Sequence, residues 1–446
     1  MGCFKLFTIG LILVLVLSLG GCGSQEDESG LSLSPDIRST QAPDVEVSSP
    51  GAGAASEEPV APSSSEAVKP VDATGKLTVE QALSDYDYMW SVLERNYPTF
   101  NVSRRMYGTD KDKIKENARH AILEYSERMN LRIFYSVLKN MFKSLSGNFH
   151  LDIIDPEFYY AHITGQREAY YTQFITDWEK PEEAYGYLAD SSIGSISRSA
   201  EAQSTVENEE FKLLDQNTAY LFIKSFINPS EEDLERLIGY YKQAEGCDNF
   251  IIDISRNSGG SDWYWMAGIV APNITDEVNC NHSFLAKSGK ENRQYLESRN
   301  FQLHEDMSAV DTLININHED RRELDLCISL KKGVKPRNSE KAFKGRIYVL
   351  IDEPVYSSAE SFTMFCKKTG FATLVGRNSG GDGGGADPLV IPLPESGLLF
   401  RYSTLYSLND DGSCNEEFGT TPDYMAESYE TPLEACLRII NNTKGK

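Results

Sequence analysis

A serine at a predicted strand-to-helix corner is the residue of this chain best suited to chemistry. Ser357 follows a run typical of a buried strand, Arg346–Ile351, and precedes a run typical of a helix, Ala359–Lys368. Such a corner holds a serine hydroxyl away from the backbone and leaves the amide of the next residue, Ser358, free to bind an oxyanion. Serine is also a common helix cap. The corner therefore predicts either a nucleophile or a cap.

A second predicted strand ends in a glycine-rich turn. The segment IIDISRNSGG, Ile251–Gly260, runs from apolar residues through Asp253 into paired glycines, and a helix is predicted from about Asp262. Adjacent glycines let backbone amides point into a shared cavity, as an oxyanion or phosphate site requires. The GxGxxG and GxxxxGK[ST] patterns of nucleotide sites are absent from the sequence. The amide of Gly259 or Gly260 is thus a candidate oxyanion donor, together with that of Ser358.

The elements around these two turns alternate between strand and helix. Apolar runs and helical spacing predict strands at 218–224, 250–254 and 372–375, and helices at 230–241 and from 263. This alternation favours an α/β fold with a mainly parallel sheet covered on both faces. We expect the α/β domain to span 209–440, with a polar insertion at about 271–344.

The chain before this domain divides into four segments. An apolar run that follows Lys5 predicts a signal peptide over 1–21, and the sequence Leu-Gly-Gly before Cys22 resembles a bacterial lipobox. A Ser/Pro/Ala-rich stretch, 22–76, has a composition that cannot form a core and is expected to be a disordered tether. Helices predicted at 79–94, 112–129 and 131–145 make 77–150 a small helical domain, and 151–208 is expected to connect it to the α/β domain.

Charge and cysteine spacing exclude several classes of function. The net charge of −24 disfavours binding to nucleic acid or to an anionic membrane surface. Six cysteines lie beyond residue 22, with no CxxC pair, so a cysteine metal knuckle is not expected. We expect no cofactor and no metal, and membrane contact only through a lipid on Cys22. Disulfides are permitted outside the cytoplasm, but the spacing does not determine any pairing.

Taken in order, these motifs resemble the C-terminal processing (tail-specific) peptidase family, serine peptidases with a crotonase-like (ClpP-like) core. The glycine turn resembles the family's DLRxNxGG motif, although Ser255 stands where arginine is usual. The corner resembles its S-x-x-E nucleophile motif, with Ser357 as nucleophile and Glu360 as the glutamate. Two later segments, TLVGRNSGG at 373–381 and EEFGTTPD at 416–423, resemble its strand-and-turn and closing motifs, and the N-terminal helices with GNFH at 147–150 resemble its tricorn-core branch.

The resemblance also implies how the serine is activated. In the lysine-dependent branch a lysine stands in the glycine turn after the serine, at a position that here falls on Asp382, and no lysine occurs between Lys368 and Lys444. A Ser–Lys dyad is therefore not expected, and histidine is the usual alternative base. Of the six histidines, His150 stands where the tricorn-like branch carries its base. Glu416, with Glu417 as a neighbouring alternative, is the expected third member that orients the imidazole.

The expected function is that of an extracytoplasmic, lipid-anchored serine endopeptidase that acts on a peptide or protein through an acyl-enzyme. We expect no PDZ domain in 151–208, which is too short and carries no GLGF-like loop. One alternative is a non-catalytic ligand- or peptide-binding lipoprotein on the same fold, and another is a hydrolase of non-peptide esters. The aromatic run Trp263–Trp265 either lines the substrate cleft or packs in the core. The sequence leaves the substrate and the oligomeric state open.

Overall fold

The computed structural model describes residues 75–145, 149–189 and 208–443. The predicted signal peptide, Cys22 and all but the end of the predicted tether lie outside the described residues, as does 190–207. Within the described ranges no helix is long and apolar enough to cross a membrane. The six cysteines beyond residue 22 are unpaired thiols.

Four helices open the described chain. The first helix, α1 (Val79–Asn96), has a capping box in which Thr78 and Gln81 satisfy each other's backbone amides. Pro98 follows the end of this helix. A short helix that was not predicted from the sequence begins two residues later. The helix predicted at 112–129 ends earlier, at Glu124, and a 3-10 turn, Ser126–Arg128, follows it. The helices are α1 (Val79–Asn96), α2 (Phe100–Tyr107), α3 (Lys111–Glu124) and α4 (Leu131–Leu145).

The connecting segment is mostly helical in its described part. It contains a two-residue strand, a short helix that continues as a π-helical turn at Tyr159–Ile163, and a longer helix. A 3-10 turn lies at Tyr170–Thr172. The strand is β1 (Asp152–Ile153), the short helix is α5 (Pro156–Phe158), and the longer helix is α6 (Glu179–Ala189).

A six-stranded sheet forms the centre of the α/β domain, in the order β13-β9-β8-β4-β3-β2. All neighbouring strands pair in parallel except β2 and β3, so the predicted mainly parallel sheet is confirmed. Its strands are β2 (Glu209–Asp215), β3 (Thr218–Ile223), β4 (Asn249–Asp253), β8 (Arg346–Ile351), β9 (Thr373–Gly376) and β13 (Tyr424–Met425). The helices of this layer are α7 (Glu231–Gln243), α8 (Asp262–Trp265), α11 (Ser358–Thr369) and α13 (Pro432–Thr443).

Alternate residues of the parallel strands face two different cores. Ile252 and Val349 pack with α7, α8 and α11 on one face, whereas Ile251 and Leu350 pack with α13 on the other. This follows from the two-residue period of a strand. Because helices cover both faces, the middle of β4, residues 250–252, and most of β8, residues 347–351, are continuous apolar runs.

The predicted insertion supplies three strands, β5 (Val278–Ala286), β6 (Gln302–His304) and β7 (Leu326–Val334), of a four-stranded antiparallel sheet. The fourth strand, β12 (Tyr406–Leu408), comes from later in the chain and pairs with β5, which gives the order β12-β5-β7-β6. The helices of the insertion are α9 (Lys290–Ser298) and α10 (His318–Glu323). A small antiparallel sheet of β1, β10 (Leu389–Pro392) and β11 (Leu399–Tyr402) shares a buried cluster with the N-terminal helices and β5, and α12 (Asn415–Phe418) follows β12.

The N-terminal helices share one core with the insertion. Trp90 on α1 and Phe142 on α4 belong to the same buried cluster as Phe284 on β5 and Phe400 on β11. An ion-pair cluster adds to this contact, because Arg105 at the end of α2 donates hydrogen bonds to Asp320 at 2.6 and 3.0 Å. The helical segment is therefore fixed against the α/β domain, so that residues of both can build one site.

Candidate active site

The predicted corner is a strained strand-to-helix turn with Ser357 at its apex. Ser357 has φ 56° and ψ −123°, a conformation unusual for a residue with a side chain. Its side chain makes no capping hydrogen bond to helix α11, and the residue is partly exposed. Such strain costs on the order of 1–3 kcal/mol and persists where the surroundings over-determine it, often at functional sites. The geometry thus favours a presented hydroxyl over a helix cap.

The neighbouring serine is committed to a buried network. Ser358 is 6% exposed, and its hydroxyl donates a hydrogen bond to Oδ1 of Asp262 at 2.7 Å. The other carboxylate oxygen of Asp262 binds the buried ammonium of Lys332, which reaches under helix α11 from strand β7. Although burial alone would raise the pKa of Asp262, the Lys332 charge holds it below its ordinary value. The hydroxyl of Ser358 is therefore poorly placed to attack a substrate.

The glycine turn lies directly against the corner. A Cβ on Gly259 would stand 2.8 Å from the Cβ of Ser357, and Gly259 has φ 108°, so only glycine fits there. The Gly259 amide already donates to Oδ1 of Asn257 at 2.9 Å. By contrast, the amides of Gly260 and Ser358 have no acceptor within the described parts of the chain. Of the two glycines left open by the sequence, Gly260 has the available N–H.

His150 is held by a carboxylate at its Nδ1 atom. Nδ1 lies 2.7 Å from Oδ2 of Asp382, and the side chain of Asp382 is almost fully buried. The His150 ring also packs against the ring of Tyr356, the residue before Ser357, with centroids 5.1 Å apart. A carboxylate bonded to Nδ1 selects the tautomer with its proton on that atom, which leaves Nε2 as the basic nitrogen.

The loop that carries Asp382 contacts the corner at Ser357. The amide of Ser357 donates to the carbonyl of Gly381 at 3.3 Å. Tyr356 donates its hydroxyl to the same oxygen of Asp382 that binds His150. Burial and the charge of Asp382 hold the pKa of Tyr356 well above its ordinary value, so the phenol keeps this proton. These bonds tie Ser357, His150 and Asp382 into one site.

Backbone strain is concentrated at these three residues. Among the described non-glycine residues, positive φ occurs at His150 (47°), Ser357 (56°) and Asp382 (59°), and otherwise at Asn300 (58°). The three site residues lie on separate segments, so a common local sequence does not explain their strain. The coincidence supports a functional site independently of any motif.

Glu416 and Glu417, the residues expected to orient the imidazole, have hydrogen-bond partners other than His150. Both carboxylate oxygens of Glu416 accept the Ser407 amide, at 2.8 and 3.0 Å, and Cys414 Sγ lies 3.3 Å from one of them. Glu417 binds Arg105, at 2.6 Å in its closest contact. Among the described residues, the carboxylate bonded to His150 is that of Asp382 rather than either glutamate. Glu416 is nevertheless buried close behind Asp382.

In the sequence, Asp382 stood out by its position but carried no predicted role. It stands where the lysine-dependent branch of the C-terminal processing peptidases has its lysine. The replacement of that lysine by an aspartate was the feature that could have indicated a role for Asp382. The remaining histidines lie elsewhere: His120 and His162 are exposed, and His282 is buried 3.1 Å from Cys280. No signal in the sequence pointed to Tyr356 or Lys332.

The aromatic run after the glycine turn is divided between surface and core. Tyr264 and Trp265 are fully buried, whereas Trp263 is 45% exposed. Trp263 is thus the member of the run that can meet a ligand. Within the described residues no group of three or more His, Cys, Asp or Glu side chains is arranged to hold a metal ion.

Solved structures with similar architecture share little sequence with this chain. A lipoprotein from Streptococcus agalactiae is 12% identical, with a TM-score of 0.44 and coverage of 81% of this chain and 96% of that one. Mature CPAF complexed with lactacystin is 12% identical, with a TM-score of 0.49 and coverage of 83% and 98%. The photosystem II D1 C-terminal processing protease is also 12% identical, with a TM-score of 0.42 and coverage of 82% and 97%.

The family is established by a sequence match rather than by these structures. No curated protein sequence matches the chain. The model of peptidase family S41 matches residues 217–426, which include the glycine turn, the nucleophile corner and the Asp382 loop. Through this segment the chain belongs to peptidase family S41, a family of serine peptidases.

Proposed function

We propose that the chain is an endopeptidase in which Ser357 is the nucleophile, His150 the base and Asp382 the group that orients the base. The observation that carries this proposal is the 2.7 Å bond between His150 and Asp382, next to a strained serine at a strand-to-helix corner. A nucleophile, a base and a group that orients the base are the three parts that serine hydrolysis requires.

The chemistry follows from these positions. The hydroxyl oxygen of Ser357 attacks the peptide carbonyl carbon while Nε2 of His150 takes the hydroxyl proton. The amides of Gly260 and Ser358 donate to the oxyanion, and His150 then gives the proton to the leaving amine. Water, deprotonated by His150, hydrolyses the acyl-enzyme and restores the serine. Each oxyanion donor is expected to contribute about 10² to 10³ in rate.

The lysines near the site support histidine rather than lysine as the base. Lys332 is buried and its ammonium is bonded to Asp262 and Ser361. Lys367 and Lys368, on the far half of helix α11, form ion pairs with Asp423 and Asp410. Each of these ammonium groups is therefore already paired with a carboxylate, and none of the three is hydrogen-bonded to the Ser357 hydroxyl.

Labelling with a fluorophosphonate tests the nucleophile. We expect the wild-type protein to be labelled at Ser357, the Ser357→Ala variant to remain unlabelled, and the His150→Ala variant to be labelled much more slowly, because the probe reacts with an activated serine. Intact-mass measurement of the adduct and peptide mapping identify the modified residue.

Ser358→Ala is the matched control, because it removes a hydroxyl one residue away and leaves the amide in place. Labelling of this variant should persist. Labelling that survives Ser357→Ala and disappears in Ser358→Ala would move the nucleophile to Ser358. Absence of labelling in folded wild-type protein would contradict a serine hydrolase and leave the binding-protein alternative.

The proposed cellular setting rests on the sequence. The apolar run before Cys22 supports export and diacylation of that cysteine, which would anchor the protein outside the cytoplasm through its lipid. A peptide or protein is the proposed substrate, and the charge of −24 argues against nucleic acid as a partner.

Replacing Cys22 by serine tests the anchor. We expect the wild-type protein in a bacterial host to incorporate a radiolabelled fatty acid and to sediment with membranes. The Cys22→Ser variant should lose the label and appear in the soluble fraction, whereas Cys3→Ser, which alters the other early cysteine, should behave as wild type. Equal incorporation by the wild type and the Cys22→Ser variant would exclude lipidation at this residue.

A further inference from the structure

Three buried carboxyl groups lie together behind the imidazole of His150. Asp382, Glu416 and Glu360 are 3%, 1% and 0% exposed and belong to the loop after β9, to α12 and to α11. Within the described ranges no lysine or arginine side chain pairs with any of the three. Several buried negative charges without a cation are strongly unfavourable, so most of these groups must be neutral.

Asp382 and Glu416 are carried by backbone segments in direct contact. A Cβ on Gly381 would stand 2.1 Å from the carbonyl oxygen of Asn415 and 3.1 Å from Cα of Glu416. The amide of Gly383, on the other side of Asp382, donates to Oδ1 of Asn415 at 3.1 Å. The loop that positions the Asp382 carboxylate is therefore supported by the first turn of α12.

Asp382 uses one of its two carboxylate oxygens for its hydrogen bonds. Both of its hydrogen bonds within the described residues, from His150 and Tyr356, reach Oδ2. Its other oxygen, Oδ1, lies near a space bordered by Gly384 and Ser407. A Cβ on Gly384 would be 3.8 Å from this oxygen and 4.0 Å from Ser407 Oγ, which is buried without a partner among the described residues.

Glu416 has too few donors to be held as an ion. Its close donors among the described residues are one backbone amide, that of Ser407, which serves both oxygens, and the weak S–H group of Cys414. Burial raises the pKa of Glu416 by more than interactions with the Ser407 side chain and with its own amide lower it. A buried carboxylate that is kept ionised usually accepts several strong hydrogen bonds or faces a cation. Burial first, and the charge of Asp382 second, raise the pKa of Glu416 to about 8.

The groups that face Glu416 from the elements packed against it are mostly neutral or negative. Arg105, the cation on α2, binds Glu417 and Asp320 instead. Burial also raises the pKa of Glu360 to about 7. The titratable groups that interact with Glu416 are Tyr97 after α1, Tyr356 at the Ser357 corner, Asp382 and Cys414. Glu360 on α11 accepts a hydrogen bond from Asn415, and Tyr406 and Glu417 are sequence neighbours of Ser407 and of Glu416 itself.

We propose that Glu416 is a neutral carboxylic acid in the active protein and that it positions Asp382, donating its proton toward Oδ1 so that Asp382 alone carries the charge facing His150. Glu416 is then a positioning residue that acts through Asp382. The inference rests on the proposed function for its catalytic consequence, although the neutrality of Glu416 does not depend on it.

Glutamine is the isostere of a neutral glutamic acid, and alanine removes the group. We expect Glu416→Ala to lower kcat by about 10- to 100-fold, because Asp382 loses a donor and the Ser407 amide loses its acceptor. We expect Glu416→Gln to recover most of this loss, to within a few-fold of wild type. The acidic limb of the pH–activity profile should keep its midpoint in Glu416→Gln, because no charge near the base has changed.

An ionised Glu416 predicts different results in the same measurements. If Glu416→Gln is as inactive as Glu416→Ala, or if it moves the acidic limb to lower pH by removing a negative charge near the base, the proposal is overturned. Wild-type activity in Glu416→Ala would overturn it as well. If Glu416→Ala does not fold, the activity and pH profile of Glu416→Gln decide the question.

The pH dependence of folding stability tests the neutrality of Glu416 without a measurement of activity. With a folded pKa of about 8 and an ordinary value of 4.5, the folded state holds one proton more than the unfolded state between these values. Wild-type stability should therefore fall as pH rises from 5 to 8. Over this pH range the Tm of Glu416→Gln should fall by about 2 to 5 °C less than the Tm of the wild type. Identical pH dependence in the two proteins would overturn a neutral Glu416, whereas inactivity of the wild type would count only against the proposed peptidase.

Discussion

Replacing His150 by alanine is expected to lower kcat for a peptide substrate by about 10⁶-fold, because the Ser357 hydroxyl then has no base to accept its proton. His150 is the described histidine bonded to a buried carboxylate at the nucleophile corner, with Nδ1 2.7 Å from Asp382. Substrate binding does not depend on this proton transfer. We therefore expect the loss in kcat, with KM changed much less.

His120→Ala is the matched control for this experiment. His120 lies on the exposed face of α3. Its Nε2 atom is 3.8 Å from Oε1 of Glu116, which is also exposed. Its removal should leave kcat, KM and the unfolding temperature near their wild-type values. Steady-state kinetics with a quenched fluorescent peptide, together with circular dichroism to confirm folding, provide the measurement. Activity of His150→Ala within tenfold of wild type would exclude His150 as the base.

Replacing Asp382 by asparagine is expected to lower kcat by about 10⁴-fold with the fold intact. An asparagine at this position can present its NH₂ group to Nδ1 of His150. The imidazole would then carry its proton on Nε2, the atom that must accept the proton of Ser357. The loss of negative charge also destabilises the imidazolium that forms during attack, so the acidic limb of the pH–activity profile should move to lower pH.

Asp387→Asn offers a control in the same loop. Asp387 pairs with Arg299 at 2.9 Å, and its side chain is 44% exposed. Its neutralisation should change kcat by less than about twofold, since Asp387 pairs with Arg299 rather than with His150, Tyr356 or Ser357. If Asp382→Asn retains high activity while Glu416→Gln is inactive, Glu416 rather than Asp382 orients the base, and the triad expected from the sequence motif would be restored.

Local elements were largely predictable from sequence, because they depend on neighbouring residues. The run RIYVLI has the continuous apolar character of a strand buried on both faces, and it forms β8 at Arg346–Ile351 as predicted. The helix predicted from Ala359 begins one residue earlier, at Ser358. The corner that presents Ser357 follows from these two elements and the short link between them.

Other local predictions failed where tertiary contacts prevailed. Helix α2, Phe100–Tyr107, was not predicted from the sequence. Pro98 marked the end of α1, and the eight residues of α2 are too few to show a clear helical period. Phe100 packs against Trp90 and Tyr97, and these contacts stabilise a helix of eight residues that would be marginal alone.

The carboxylate at His150 could not be chosen from sequence. Glu416, Glu417 and Asp382 all stand in polar stretches of the sequence that contain turn-forming residues. His150 and Asp382 are 232 positions apart, so their contact depends on how the helical segment packs against the α/β domain. The shared core and the Arg105 ion pairs set that packing, and neither leaves a short-range pattern.

By itself, the sequence determined the parallel sheet, the nucleophile corner at Ser357, the glycine turn beside it and a histidine as the candidate base, since these depend on local periodicity and on which residue types are present. The tertiary structure decided which acid meets His150, which glycine amide is available and which serine is committed to Asp262. Those choices depend on distances of a few ångströms between segments far apart in the chain, and such distances arise only when the cores form.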